Sequence, residues 1–281
     1  YKDLAQLHYI DTGSSTLDHM NRMLIRFVAF LFFYNSYFQK YSLEVKRFRA
    51  HFKKVFYPLY DKIFRGSQNI NLEIVFKGGI KPITERALFI EYCMGGFMHD
   101  IGKMPNIKYH DGEVAYDPKQ VIRHVFDSYN MLLQSKEFSE GIVSTGLLHH
   151  DFYGAPYGYN QLKTFQKKYT DRREEDRKDS LTKYFISFKI LDVGYGAAIA
   201  YFPTKMLELL DVFDGLVDEK SHSDEGTFSN EDALIEMRKK YIDGNHLGLD
   251  PILFNIFVDF LEKSGIVYDP NILKTVKISE Q

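Results

Sequence analysis

Apolar side chains recur every three or four residues along most of the chain, which is the period of an amphipathic α-helix. The first stripe begins at Ser15 and consists of Leu17, Met20, Met23, Leu24, Phe27, Phe30 and Leu31. The same period predicts further helices over 47–63, 84–98, 118–133, 139–149, 203–217, 230–241 and 251–263. Pro58 lies inside the second of these and is expected to interrupt it.

One segment has a different period. Residues Ile70, Leu72, Ile74 and Phe76 alternate with polar neighbours, which predicts a short strand or hairpin inside an insertion around 36–83. A charged segment around 161–185 is expected to be a second insertion, either a solvated helix or a mobile stretch. The predicted fold is therefore all-α, a single helical domain over 1–281 with a small β insertion. Because the sequence opens at Tyr1, a missing region before it is left open.

Composition and charge narrow the function classes. The chain of 281 residues has 36 Lys and Arg against 38 Asp and Glu, so its net charge of −2 gives no bulk attraction to a nucleic acid polymer. The single cysteine excludes an internal disulfide and a cysteine metal cluster, as is typical of a cytosolic protein. The longest apolar run, 27–34, is shorter than the roughly 20 residues of a membrane span. We expect a cytoplasmic protein that has no span in this chain.

Histidines and aspartates cluster at the ends of the predicted helices. His99-Asp100 closes one helix and is followed by Lys103, while His149-His150 closes another and His124 lies between them. An imidazole and a carboxylate that are adjacent on a helix can both reach a metal pair beside it. A single histidine in a helix is usually structural. His124 is a candidate metal ligand only because it lies between the two pairs in the sequence.

The predicted helix over 203–217 carries two carboxylates on one face. Asp211 and Asp214 are three residues apart in an otherwise apolar segment. Buried carboxylates need partners. A metal for one of them and an ammonium such as that of Lys103 for the other would satisfy both.

The order of these residues resembles the HD superfamily of metal-dependent phosphohydrolases. It is most similar to the HD-GYP branch, whose members degrade the bacterial second messenger cyclic di-GMP. The segments that carry the likeness span about 17–263 and are His19-Met-Asn-Arg22-Met, His99-Asp-Ile-Gly-Lys103, Val-Ile-Arg-His124, His149-His150 before a Gly/Tyr loop, Asp211-Val-Phe-Asp214-Gly-Leu, Glu231-Asp-Ala-Leu and Leu249-Asp-Pro251.

The resemblance implies a fold, a ligand set and a reaction. The fold would be an HD-domain helical bundle with two divalent metal ions, iron or manganese. One ion would be held by His19, His99 and Asp211, the other by His124, His149 and His150, with Asp100 bridging them. A metal-bridging hydroxide would hydrolyse cyclic di-GMP to pGpG or GMP. Lys103 would bind a phosphate oxygen, and Asp214 would orient it.

The chain departs from the family pattern in three places. The segment after His150 keeps only Gly158-Tyr159 of the GYP letters, so substrate preference is less defined than the metal site. Ser15 stands where some relatives have a glutamate for a third metal, so two metals are expected. The long spacing from His19 to His99 leaves His51 as a rival first ligand, although His19 fits the pattern better.

Substrate contacts and alternatives remain open. Tyr157 and Tyr159 are candidates for stacking on guanine, although they could equally be packing aromatics. One alternative is an HD-type phosphohydrolase that acts on another cyclic dinucleotide or a nucleotide monoester. The other is a non-catalytic nucleotide-binding signalling module. The choice between a monomer and a homodimer is open.

Overall fold

The computed structural model is mainly helical and confirms the predicted all-α class. It describes residues 15–64, 86–106, 108–110, 113–115, 118–139, 142–143, 145–146, 149–150, 195–218, 228–243 and 249–269. The helices are α1 (Ser15–Phe64), α2 (Arg86–Met98), α3 (Pro118–Ser135), α4 (Tyr195–Val217), α5 (Asn230–Tyr241) and α6 (Pro251–Lys263). A 3-10 helix, Ile101–Asn106, follows α2.

The described residues include one small antiparallel hairpin. Strands β1 (Lys108–His110) and β2 (Glu113–Ala115) pair so that Tyr109 lies opposite Val114. The strand predicted over 70–76 lies outside the described residues, as do the charged segment 161–185 and the loop with Tyr157 and Tyr159. Those expectations stay predictions.

Helix α1 differs from the sequence prediction. Two helical segments, as expected, make up the stretch from Ser15 to Phe64, and they meet at a kink. The predicted interruption at Pro58 is wrong, because helical backbone continues through that residue. The backbone instead leaves helical geometry at Tyr41, where φ is −117° and ψ is 29°. Helix α4 also begins earlier than the expected residue 203, at Tyr195.

Helices α5 and α6 have the predicted limits because strong local signals define their ends. The Ser229 side chain accepts a hydrogen bond from the backbone N–H of Asp232, 3.2 Å away, and so caps α5. Asp250 Oδ1 caps α6 by accepting from the N–H of Leu253 at 3.0 Å, and Pro251 occupies the first helical position.

The core lies where α1, α2, α4 and α6 pack together. Its centre is aromatic: the Phe30 ring lies 5.3 Å from that of Phe257 and 5.2 Å from that of Phe260, and all three side chains are buried. Burial of each such side chain contributes about 1.5–3 kcal/mol to the free energy of unfolding. Helix α1 also packs against α2 and α4 in this core. These three helices carry His19, the residues just before His99, and Asp211.

Among the described residues, no helix combines the length and the apolar character that crossing a membrane requires.

Cys93 offers a test of how α2 packs. Burial raises the pKa of its thiol to about 11. At pH 8 the thiolate is therefore scarce, and we expect alkylation roughly 100-fold slower than for an ordinary cysteine. Since the chain has one cysteine, iodoacetamide labelling followed by mass spectrometry measures this rate directly. Urea-unfolded protein is the control, and equally fast labelling of the folded protein would contradict the packing described for α2.

Candidate metal centre

The structure brings the predicted metal-ligating residues together in one cluster. Two groups of side chains each place their ligand atoms within 4.8 Å of one another. The first group is His19, His99, Asp100 and Asp211, and the second is His124, His149 and His150. Either group could hold a metal ion. The division matches the two ligand sets that the family resemblance implies.

Asp100 lies between the two groups, and each of its oxygens faces a different one. Its Oδ1 is 3.0 Å from Nε2 of His124 and 3.4 Å from Nε2 of His149. Its Oδ2 is 3.4 Å from Nε2 of His19 and 3.6 Å from Nε2 of His99. The carboxylate is 1% exposed, so water does not account for this orientation. A carboxylate placed in this way can contact two cations at once.

Asp211 completes the first group from α4. Its Oδ1 lies 3.2 Å from Nε2 of His19 and 3.8 Å from Nε2 of His99. Its other oxygen is 3.7 Å from Nε2 of His150, which belongs to the second group. Asp211 therefore faces both groups, as Asp100 does.

Backbone carbonyls orient two of the histidines. His99 Nδ1 is 2.7 Å from the carbonyl oxygen of Gly96, and His149 Nδ1 is 3.0 Å from that of Gly146. Because a carbonyl only accepts, each Nδ1 carries the proton and each Nε2 presents its lone pair to the centre. Metal-bound histidines are usually held by a partner of this kind.

A repeated pattern, Gly-x-x-His, lies behind these contacts. The glycines let a neighbouring element come close: a Cβ at Gly96 would meet the Phe27 ring at 2.4 Å, and one at Gly146 would meet the Leu132 side chain at 3.3 Å. This pattern was not among the features predicted from the sequence, although Gly96 and Gly146 both precede a candidate ligand by three residues.

His19 is oriented differently. Its Nδ1 lies 2.9 Å from Asp214 Oδ2, a contact between α1 and α4. Asp214 was expected to orient Lys103, but its hydrogen-bond and ion-pair partners are His19, Arg22 and Arg26. Lys103 instead lies with Nζ 2.5 Å from Asp100 Oδ2. The expected role of Asp214 is thus corrected, because the arginines of α1 reach it.

Arg26 and Asp218 had no predicted role, and Arg22 had none beyond the family likeness. The sequence does contain a signal for their contact. His19, Arg22 and Arg26 follow one another at steps of three and four residues on α1. On α4 the aspartates at 211, 214 and 218 have the same steps. Matching polar stripes on two helices indicate that the helices face each other there.

His51 is less well placed than His19. The backbone of His51 lies in α1, beyond the break at Tyr41, and its side chain is outside the described part of the chain. At 1.5 Å per residue, about 33 Å of helix separates His19 from Tyr41 alone. His19 is the residue that joins the first group.

Electrostatics in the centre favour bound positive charge. Burial disfavours the charged form of His19, yet Asp100, Asp211 and Asp214 together hold its pKa well above its usual range. Burial likewise opposes ionisation of Asp100, but the Lys103 ammonium and neighbouring imidazoles hold its pKa well below normal. Burial also opposes ionisation of Asp211, but contacts with His19 and His99 hold its pKa well below normal. Both carboxylates of the first group are therefore ionised and can attract a cation.

The second group is suited to ligation at neutral pH. Burial, together with the neighbouring imidazoles, lowers the pKa of His149 to about 4. Burial and the adjacent His149 also hold the pKa of His150 well below its usual range. Both rings are neutral at pH 7, which is the form that binds metals.

Three buried atoms of the centre have no hydrogen-bond partner among the described residues: His19 Nε2, His99 Nε2 and Asp100 Oδ1. Leaving such groups buried and unsatisfied is costly. Ligands bound at about 2.1 Å lie about 3.0 Å apart on an octahedron and about 3.4 Å apart on a tetrahedron. The separations of 3.0–3.4 Å around Asp100 Oδ1 and from Asp100 Oδ2 to His19 fall in that range. The residues present therefore fit a metal ion.

Comparison with protein-family models, with curated proteins and with solved structures gives no match to this chain.

Metal binding should be visible as stabilisation. At a Mn²⁺ concentration 100 times its dissociation constant, we expect the free energy of unfolding to rise by about 2.7 kcal/mol for each occupied site. Urea unfolding of chelator-treated protein, with and without Mn²⁺, measures this. Mg²⁺ is the control, because it prefers oxygen ligands to imidazoles and should stabilise far less. An unchanged unfolding midpoint in Mn²⁺ would contradict the metal centre.

Proposed function

We propose that this chain is a metal-dependent phosphodiesterase that hydrolyses cyclic di-GMP to pGpG or GMP at a centre of two divalent cations. The observation that carries the proposal is the position of Asp100, whose two oxygens face two separate groups of imidazole nitrogens. A carboxylate shared between two cations is typical of centres that hydrolyse phosphate esters. The order of motifs that resembles HD-GYP proteins supplies the substrate class.

The proposed ligand sets follow the two groups. One cation would be held by His19, His99, Asp211 and Asp100 Oδ2, and the other by His124, His149, His150 and Asp100 Oδ1. Imidazoles and carboxylates together suit iron or manganese. When bound, the pair would activate a water molecule and offset the charge that develops on the phosphoryl oxygens.

The protein side chains contribute orientation and charge. Gly96 and Gly146 fix the rings of His99 and His149 through their carbonyls, so these ligands need little reorganisation on binding. Lys103 is 23% exposed and its ammonium lies beside Asp100, so it brings positive charge to the partly open side of the centre. There it would bind a non-bridging oxygen of the phosphodiester as negative charge increases. Tyr157 and Tyr159 are retained as candidate contacts to the bases.

Turnover of defined substrates tests the proposal. Protein purified without oxygen and loaded with Fe²⁺ or Mn²⁺ is incubated with cyclic di-GMP, and the products are separated by chromatography. We expect pGpG or GMP with the loaded protein and none after chelator treatment. Protein that contains both metals but leaves cyclic di-GMP intact would refute the proposed substrate.

The altered Gly/Tyr loop favours a second candidate, a phosphohydrolase with the same centre and a different nucleotide substrate. Another cyclic dinucleotide and a nucleotide monoester therefore belong in the same assay. Hydrolysis of one of these in place of cyclic di-GMP would favour the second candidate. Binding of nucleotide by metal-loaded protein without hydrolysis would favour a non-catalytic signalling module instead.

A further inference from the structure

The three histidines whose Nδ1 partners are described do not use the same kind of partner. His99 and His149 each use a carbonyl three residues earlier in the chain, so local backbone sets their orientation. His19 uses Asp214, which is 195 residues away and on a different helix. The orientation of His19 therefore depends on how a side chain of α4 is held against α1.

Asp214 is held by two arginines from α1. Arg22 contacts both oxygens, with Nε 3.2 Å from Oδ1 and Nη2 2.9 Å from Oδ2. Arg26, one turn further along the same face, also donates to Oδ1. Bidentate contacts of this kind fix the plane of a carboxylate. With His19 on Oδ2, the position and rotation of Asp214 are fully determined.

Arg22 also pairs with Asp218, one turn beyond Asp214. We call Arg22, Arg26, Asp214 and Asp218 the arginine clamp. Its two positive and two negative charges balance, so loss of one arginine leaves a negative charge uncompensated. The clamp extends from the buried interior, where Asp214 is 2% exposed, toward the surface, where Arg26 is 25% and Asp218 24% exposed.

The clamp borders the first of the two groups. Through Asp214 it contacts His19, which belongs to the group with His99 and Asp211. A change at Arg26 should therefore affect the two groups unequally.

We propose that Arg22 and Arg26 are positioning residues that set the cation affinity of the group of His19, His99 and Asp211 by holding Asp214 against His19. This inference rests on the proposed two-cation centre. Changes to residues that orient a metal ligand typically lower metal affinity about 10–100-fold, and we expect that range for Arg26→Gln at one of two binding events. The other event should weaken less, because Asp214 contacts His19 directly, whereas the second group is linked to the clamp indirectly, through the shared carboxylates Asp100 and Asp211.

Mn²⁺ titration of chelator-treated, dialysed protein tests the proposal, with free Mn²⁺ followed by electron paramagnetic resonance. Arg26→Gln is compared with Arg26→Lys, which keeps the positive charge and should recover much of the lost affinity. Arg238→Gln is the matched control: it removes an arginine that pairs with Asp243 at 2.8 Å near the partly exposed end of α5. Urea unfolding of each metal-free variant separates an effect on affinity from an effect on stability.

The expected result is one weakened Mn²⁺ binding event in Arg26→Gln, recovery in Arg26→Lys and no change in Arg238→Gln. Unchanged affinities in Arg26→Gln would overturn the proposal. So would equal weakening of both events together with a lower unfolding midpoint, because a structural role alone gives that result. If wild-type protein binds Mn²⁺ but hydrolyses no nucleotide, the proposed function fails while the clamp is still tested by affinity.

Discussion

Asp100→Ala is expected to bind neither cation tightly and to lose nucleotide hydrolysis while remaining folded. Each oxygen of Asp100 faces a different group of imidazoles, so one substitution removes a ligand from both. Removing one group that stabilises a transition state costs about 10²–10³ in rate, and loss of a shared ligand should cost at least that. Metal analysis and turnover measure the two effects.

Two further variants make the Asp100 experiment decisive. Asp100→Asn keeps the volume of the side chain but removes its charge, so it should bind metal nearly as poorly as the alanine variant. Asp243→Asn removes an exposed aspartate at the end of α5 and should change neither metal content nor rate. Circular dichroism and cooperative urea unfolding establish that Asp100→Ala is folded. Full activity in that variant would exclude a bridging role for Asp100.

Gly102→Ala is expected to destabilise the protein and disturb the second group of ligands. A Cβ at Gly102 would lie 2.3 Å from both the carbonyl oxygen of His124 and the backbone nitrogen of Ser128. Backbone atoms cannot move aside as a flexible side chain can, so the 3-10 helix would have to separate from α3. Overpacking of this kind typically costs about 1–3 kcal/mol, and contact with backbone places this variant at the upper end or beyond it.

The same contact couples stability to metal binding. The N–H of Gly102 donates to the Ser128 hydroxyl at 2.8 Å, which joins the 3-10 helix to the turn of α3 that follows His124. Displacement there would move His124 relative to Asp100, so metal content should fall with the free energy of unfolding. Gly215→Ala is the matched control, since nothing lies within 4 Å of a Cβ there and alanine favours a helix. Equal stability of the two variants would contradict the close approach at Gly102.

The sequence predicted helices best where side chains close to the helix ends define them. Ser229 and Asp250 cap α5 and α6, and both helices have the predicted limits. In α1 the apolar stripe did not reveal the break at Tyr41, because no glycine or proline lies there. Pro58 was misjudged for the opposite reason, since a proline within a helix does not always end it.

For the candidate site, residue types and order were informative but partners were not. The histidine and aspartate motifs picked out the candidate ligands, and their division into two sets came from the family resemblance and agrees with the two groups in the structure. The partner of Asp214 could not be read in the same way, because the choice between Lys103 and the arginines depends on how α1 packs against α4. The carbonyl contacts of Gly96 and Gly146 could not be predicted from residue type, because every residue has a carbonyl. Only the repeated Gly-x-x-His spacing distinguishes these two.

Contacts such as that between His19 and Asp214, 195 residues apart in the sequence, also determine when the centre can form. Closing so long a loop costs entropy before the contact can compensate for it, so we expect α1 and α4 to pair late in folding. During synthesis, a chain still lacking α4 would expose an incomplete set of ligands. The first group would therefore bind a cation only after α1 and α4 have packed together. Binding would follow the synthesis of α4 and would play no part in the earliest steps of folding.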